Sequence, residues 1–512
     1  MKQRRTMLWF TLFLFSTAIV PGQTITTNGT GGGNWSSAST WSPSGVPTGA
    51  GTITILATDS VYFNANVTIT GTLKNLSGRL GFDTTKTTTF ASGGTYEHGV
   101  NGRSIPRATW STGSTCLINA VKDSAPSNGN QNFYNVTWDC IAQSGGLNMG
   151  MTGNTVGGNI RVIRSNSQYM RLTASNNAGV SGKKVITING NILIDSLTGF
   201  FTSTGSSGTD SMNIILKGGI TSYGTFNVAN GSGASVNWYV GGDVKAMAGA
   251  FTTNSTLTKP DSFFFNGTSK QTFVRGSGAM TNIFFRVLKG AIVEMDTNSL
   301  GVSTNTTFTL DSGATLATGH ANGFAGNLNN NGATSLSTGA NYTFNGSVAQ
   351  VTGTVMPASV KNLTINNSKG VTLSQATTIN GILLLSAGVF DNTIPFTLGA
   401  GGSVQFSGGS LKITSVEPSD ASKIPQIFTV SQNYPNPFNP STMITYGLPA
   451  RSYVTVKVFN LLGEEIAAIF SGTENAGTHS LKFDASNLSS GVYVYRVQAG
   501  ASVEARRMVL LK

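Results

Sequence analysis

The chain has 512 residues, with 32 Lys and Arg against 20 Asp and Glu, a formal net charge of +12, only 10% charged residues, 64 glycines and two cysteines. Low charge, with Val, Ile, Leu and Phe recurring throughout, excludes an expanded disordered chain, and the thin spread of basic residues without a Lys/Arg cluster or nucleic-acid motif excludes a nucleic-acid partner. The length exceeds one ordinary globular domain unless the fold grows by repetition.

Lys2, Arg4 and Arg5 precede an apolar run from Met7 to Val20, followed by Pro21-Gly22. This pattern predicts a secretory signal peptide over residues 1–22, cut near Gln23. The run is too short to span a bilayer comfortably and no longer apolar stretch follows, so no transmembrane helix is expected in the mature protein. An entry cap is expected over about 23–56. It reads Gly33-Asn34-Trp35-Ser36-Ser37-Ala38-Ser39-Thr40-Trp41, then Gly45-Val46-Pro47 and the strand Thr52-Ile53-Thr54-Ile55. The segment resembles the entry of secreted bacterial parallel β-helices. Trp35 and Trp41 would cover the first coil's open edge, and an aromatic sugar platform is the alternative.

Over residues 23–412 short alternating strands recur between Gly/Asn/Ser turns, as in Val67-Thr68-Ile69-Thr70-Gly71 and Lys184-Val185-Ile186-Thr187-Ile188. They return at intervals of roughly 20 to 25 residues, the length of one solenoid coil. The spacing predicts an all-β chain with a long parallel β-helix or β-solenoid passenger of some 16 to 18 coils, about 80 Å long at roughly 4.8 Å per coil. Asn-Gly and Gly-Gly pairs are expected to supply positive φ at the corners. An internal repeat pairs Phe263-Phe264-Phe265-Asn266-Gly267-Thr268 and Gln271 with Asn341-Tyr342-Thr343-Phe344-Asn345-Gly346-Ser347 and Gln350. Its offset of about 79 residues predicts stacked equivalents three or four coils apart.

Cys116 and Cys140 are separated by about one coil, and an exported protein meets an oxidising compartment, so a disulfide is expected. Carboxylates are scattered. Glu294 and Asp296 form the nearest approach to a cluster, expected as a solvated outward pair on one strand, and His98 beside Glu97 is expected as a packed residue within a coil. His320 and His479 are remote from each other. No zinc spacing, phosphate loop, nucleophile elbow or calcium loop occurs, so no catalytic residue, cofactor or metal is assigned.

After a linker at 413–426, residues 427–512 open with Gln432-Asn433-Tyr434-Pro435-Asn436-Pro437-Phe438-Asn439-Pro440-Ser441-Thr442. The prolines predict a rigid polyproline-like lead-in along a small immunoglobulin-like sandwich. Strands are expected at Met443–Leu448, Tyr453–Asn460, Glu465–Phe470, His479–Phe483, Gly491–Gln498 and Val503–Leu511, with a turn at Leu462-Gly463. This opening, the Val456-Lys457-Val458-Phe459-Asn460 block, the Gly491-Val492-Tyr493-Val494-Tyr495 block and the basic end resemble a type IX secretion C-terminal sorting domain, type A. The segment around Gly94–His98 and Gln131–Cys140 is similar to a module of type IX cargo.

The resemblance implies outer-membrane type IX machinery and its sortase as partners, cleavage of the tail, and a secreted or outer-membrane cell-surface protein that passes through the periplasm. It also implies surface lipopolysaccharide or glycans as further partners, and Gly491, Tyr493 and Lys512 as recognition residues. Asp-Ser/Thr-apolar tripeptides resemble O-glycosylation acceptors of such bacteria, giving Ser60, Thr84, Ser124, Ser196 and Ser211 as candidates. The expected function is a structural or adhesive β-solenoid, with a carbohydrate-active enzyme or glycan-binding protein on the same scaffold as the alternative.

Overall fold

The computed structural model describes residues 24–77, 79–173, 184–203, 212–230, 235–253, 261–301, 305–329, 332–412 and 425–512. The signal peptide, Ser211 and most of the linker lie outside these residues. The chain divides into two compact units at Lys412/Ile413. The first is a three-faced parallel β-solenoid and the second an antiparallel β-sandwich.

Each solenoid coil turns three corners because its strands are short and are separated by Gly, Asn and Ser. One coil runs Ile160–Arg164 on face one, Tyr169–Arg171 on face two and Lys184–Ile188 on face three, and Ile192–Ile194 then returns to face one. Face one is an 18-stranded sheet. One member, Trp41–Ser42, is antiparallel, and it pairs with the first strand, Ile25–Thr27. The other seventeen run parallel in unbroken succession up to Ser403–Phe406. Faces two and three are each divided among shorter sheets, including a 6-stranded one from Leu147–Asn148 to Met280–Thr281 and an 8-stranded one from Thr155–Val156 to Thr334–Leu336. Coil length varies more than the sequence spacing suggests. Thr52 aligns with Thr72, whereas Ile160 aligns with Ile192, a coil longer by more than half.

Alternate residues of each strand fill one continuous core, as in Lys184–Ile188, where Ile186 and Ile188 are fully buried between half-exposed neighbours. Equivalent positions stack into ladders. Phe201, Phe226 and Phe251 lie ring on ring at 5.6 and 4.7 Å, contacts that add to the area they bury. At the N-terminal end Trp41 Nε1 donates to the Trp35 carbonyl at 3.0 Å, and the Trp35 ring stacks on Phe63 at 4.8 Å. Both tryptophans are almost wholly buried, so they close the first coil and offer no ring face to a sugar.

The expected positive φ occurs at Gly29, Gly102 and Gly323, each after an asparagine, but not at every Asn-Gly or Gly-Gly pair: Gly190, Gly218 and Gly242 do not have it. They are glycine because the coils touch there: a Cβ on Gly190 would lie 2.5 Å from the Gly158 carbonyl oxygen, and one on Gly218 would lie 2.3 Å from that of Gly190. Beside them asparagine amides replace missing backbone partners. Asn135 Oδ1 accepts from Asn159 N at 2.9 Å, and Asn159 Oδ1 accepts from Asn191 N at 2.7 Å.

The internal repeat is real but its copies do not stack. Ser262–Phe265 belongs to face three, whereas Asn341–Phe344 belongs to face one. Three coils separate the first copy from Thr334–Leu336 directly above it, and the second copy lies one further corner along the chain. What repeats is a corner. The buried Gln271 accepts from Gly267 N at 2.8 Å and donates to Val240 O and Gly242 O; Gln350 accepts from Gly346 N at 2.8 Å and donates to Thr318 O and His320 O. Each glutamine thereby gives one backbone N–H of its turn an acceptor and adds a donor to two carbonyls of the preceding coil.

The cysteines are also corrected: both are free, buried thiols. Register stacks Cys116 between Tyr96 and Val136, so Val136 takes the position above it and Cys140 falls past the end of that strand. The Cys140 thiol donates instead to the Ile118 carbonyl at 3.3 Å. Burial holds both thiols well above the usual range, Cys140 at about 12, which keeps them protonated and unreactive.

In the second unit all six expected strands form. Thr429–Val430, Ser441–Leu448 and Gly477–Asp484 make one sheet; Glu465–Glu474, Ser452–Phe459, Gly491–Ala499 and Ser502–Leu510 make the other. Val454, Val456, Val458, Tyr446 and Tyr495 are fully buried between them. Gly463 makes the expected turn at φ 83°. The lead-in is tied to the sheets rather than running as a free polyproline helix, with Tyr434 bridging Met443 and Phe438 bridging Leu510.

Candidate functional site

The two ends of the tail's sequence signature meet in space. Phe438 N donates to Val509 O at 2.9 Å, and Leu511 N returns a bond to Phe438 O at 3.0 Å. Asn436 Oδ1 accepts from Val509 N at 2.8 Å, and Gln432 Nε2 donates to Arg507 O at 2.6 Å. Asn433, nearly buried, donates to Pro435 O and Thr442 Oγ1, pinning the proline run to the sheet that follows it. The lead-in therefore acts as a strap along the last strand.

The three recognition candidates gather around the Ser486–Ser490 loop. Lys512 Nζ donates to Ser486 O at 2.6 Å and Lys512 N to Ser490 Oγ at 2.9 Å, while the Tyr493 hydroxyl donates to Ser489 O at 2.7 Å. Gly491 follows this loop directly and pairs with Leu510. No atom approaches a Cβ built on Gly491 closer than 4.0 Å, and its φ is ordinary, so packing does not demand glycine there. The loop, the half-buried tyrosine and the exposed terminal lysine form one surface on which a partner could read them together.

In the passenger the candidate acids serve the scaffold. The strand carrying Glu294 ends at that residue, and Asp296 stands in the following turn at φ 48°, so the expected solvated pair does not exist. Glu294 pairs with Lys270 one coil below and accepts from Asn345 Nδ2 at 2.6 Å. Glu97 pairs with Lys74 at 2.8 Å, Asp139 with Arg164 at 2.6 Å and Asp311 with Arg286 at 2.9 Å, each joining neighbouring coils. No group of three or more His, Cys, Asp or Glu gathers among the described residues.

His98 is the packed residue expected, fully buried, with Nδ1 3.0 Å from the Tyr96 hydroxyl and Nε2 2.7 Å from Gly102 O. Burial holds its pKa below the ordinary imidazole value, with the Gly102 carbonyl opposing. His320 accepts from Asn322 N, and His479 lies against Glu474 at 3.3 Å. Among the glycosylation candidates Ser60 and Ser196 donate to the backbone, and Asp59 beside Ser60 is buried under hydrogen bonds from Gly29 N and Gly31 N. Thr84 and Ser124 are exposed in turns.

The chain is thus a repetitive all-β solenoid followed by a separate compact unit, a strapped β-sandwich. Residues 432–511 match the family model described as the secretion system C-terminal sorting domain. The chain is type IX secretion cargo, with this sorting domain as its tail and a β-solenoid as its passenger. No curated protein and no solved structure matches the chain.

Proposed function

We propose that the passenger is a structural or adhesive β-solenoid, displayed at the cell surface or released after the outer-membrane type IX machinery has read its tail. In this reading a sortase removes residues 427–512 and leaves the solenoid free or joined to surface lipopolysaccharide, and a signal peptide at 1–22 directs the first membrane crossing. The observation that carries the scaffold reading is the unbroken parallel ladder of face one, whose charged side chains bridge one coil to the next. Such pairs hold register along a rod in which every coil depends on its neighbours.

Thr84 and Ser124 are the acceptors best placed for O-glycosylation, being exposed in turns. Mass spectrometry of the exported protein tests the whole reading. Expected are a start near Gln23, an end within 413–426 and glycan mass on peptides carrying Thr84 and Ser124. A full-length chain recovered from the medium with its tail intact would overturn the sorting and cleavage part.

A further inference from the structure

In the tail, the hairpin between Ser452–Phe459 and Glu465–Glu474 ends in two leucines that the fold does not use. Leu461 is 70% and Leu462 84% exposed, the highest values for large apolar side chains among the described residues. Neither belongs to the buried cluster of this unit or packs against it. Other residues build the turn. Asn460 Oδ1 accepts from Leu462 N and Glu464 N, each at 3.0 Å, Asn460 Nδ2 donates to the Glu464 carboxylate at 2.7 Å, and Gly463 supplies a φ of 83°. Asn460 N donates to Glu464 O and Gly463 N to Asn460 O, both at 3.0 Å. These bonds hold the backbone whatever side chains stand at 461 and 462, so polar residues would serve the turn as well and expose less apolar surface.

The tip also stands at a particular end of its sheet. Ser452–Phe459 pairs antiparallel with Gly491–Ala499, and the register ends with Phe459 opposite Val494. The chain therefore leaves the sheet for the tip at the end where Gly491 enters it. Leu510 pairs with Gly491 at that same end, and Lys512 bonds Ser486 and Ser490 just beyond it. One end of the four-stranded sheet thus carries a braced pair of exposed leucines together with the Ser486–Ser490 loop and the terminal lysine.

We infer that Leu461 and Leu462 are an apolar anchor by which the outer-membrane export machinery holds the tail, the two side chains filling a hydrophobic pocket of a machinery protein. The inference rests on the sorting reading, which the family match over residues 432–511 supports, and adds to it a pair of contact residues and their chemistry. Leucines surrounded by water in the free tail give up that apolar area only when a partner covers them, so they can favour docking without being needed for folding. A turn already fixed by its own hydrogen bonds has little conformational freedom left to lose on docking. Glu464, exposed beside the tip and paired with no cation among the described residues, suits a protein pocket better than the anionic surface of a bilayer.

Cell fractionation of a secreting host that expresses the full chain tests the anchor, with L461S/L462S, the apolar replacement L461M/L462M and the control V503S, an exposed valine at the opposite end of the sheet. Expected are a fall of about tenfold or more in the exported fraction of L461S/L462S, which stays folded in the periplasm with a wild-type Tm, and normal export of L461M/L462M and V503S. Normal export of L461S/L462S while a chain lacking residues 432–512 is retained would overturn the anchor and leave the sorting reading standing; export of that shortened chain would overturn both. Retention of L461M/L462M, or a clear fall in the Tm of L461S/L462S, would give the leucines a structural role and overturn the anchor. Binding to phospholipid vesicles, or dimerisation, that the wild-type chain shows and L461S/L462S lacks would assign the tip to a membrane or to a second copy and overturn it as well.

Discussion

At the scale of single residues, the tail separates positions needed for folding from positions available for reading. Gly491 has room for a methyl group and an ordinary φ, so Gly491→Ala should leave the tail's thermal stability within about 0.5 kcal/mol. If Gly491 is read by the export machinery, cargo bearing this substitution accumulates in the periplasm while remaining folded; normal export would remove it from the recognition surface. Lys512→Ala is a weaker test, because it also releases the bonds to Ser486 and Ser490.

His98 makes a prediction of a different kind. Its two ring nitrogens are satisfied by a neutral imidazole that accepts from Tyr96 and donates to Gly102, and Asn75 Nδ2 completes the chain by donating to the Tyr96 hydroxyl. Because the folded pKa is depressed, the unfolded chain binds a proton first as pH falls. The contribution of His98 is therefore complete above about 6.5, the unfolded value, and is lost as pH falls below it. Asp261 acts oppositely: burial raises its pKa to about 6 against hydrogen bonds from Thr253 and Val236 N, so its contribution is present below the unfolded carboxylate value and fades as pH rises through about 6. The wild-type minus His98→Gln difference in denaturation midpoint isolates the histidine and should shrink between pH 7.5 and pH 5. A difference that stays constant would mean His98 does not titrate as described.

At the scale of elements, the corners rather than the strands carry the specific information. Gly218→Ala would force a methyl group against the Gly190 carbonyl and should cost about 1–3 kcal/mol, whereas Gly145→Ala, where no atom lies within 4 Å, should be nearly neutral. Gln350→Ala would leave Gly346 N without its acceptor, at about 1–3 kcal/mol, while Thr318 O and His320 O keep backbone donors in Asn345 N and Gly323 N. Hydrogen exchange should then quicken around Gly346 and Asn367, which also donates to Gln350 Oε1 at 2.8 Å, and leave the coils near Ile160 unchanged. Exchange that quickened equally over the whole solenoid would show that the corners do not act locally. The recurrence of Asn-Gly-x-x-x-Gln was legible as a repeat, because the turn chemistry is local. Its placement at two different corners was not, because the length of the intervening coils decides which face a segment reaches.

At the scale of the whole molecule, passenger and tail are separate compact units, each with its own buried cluster. Removing residues 432–512 should therefore leave the solenoid folded, with unchanged far-ultraviolet circular dichroism per residue of passenger, while abolishing its passage beyond the periplasm. Continued export of the truncated chain would mean that the address lies elsewhere.

What the sequence determined by itself is whatever depends on near neighbours along the chain: alternation of apolar residues, turn residues, the all-β solenoid they imply, and the ordered blocks of the sorting tail with all six of its strands. What only the tertiary structure decided is whatever depends on which residue lies one coil above another. Cys140 misses Cys116 because the coil between them closes early and sets Val136 in its place. Asp139 finds Arg164, whereas Arg171, an ordinary strand residue in the sequence, finds Asn148 and Thr202 and no carboxylate among the described residues. The physical reason is that a parallel coil couples residues a whole turn apart through hydrogen-bond register, and because the corners differ in length, spacing along the chain does not say which residue stacks on which.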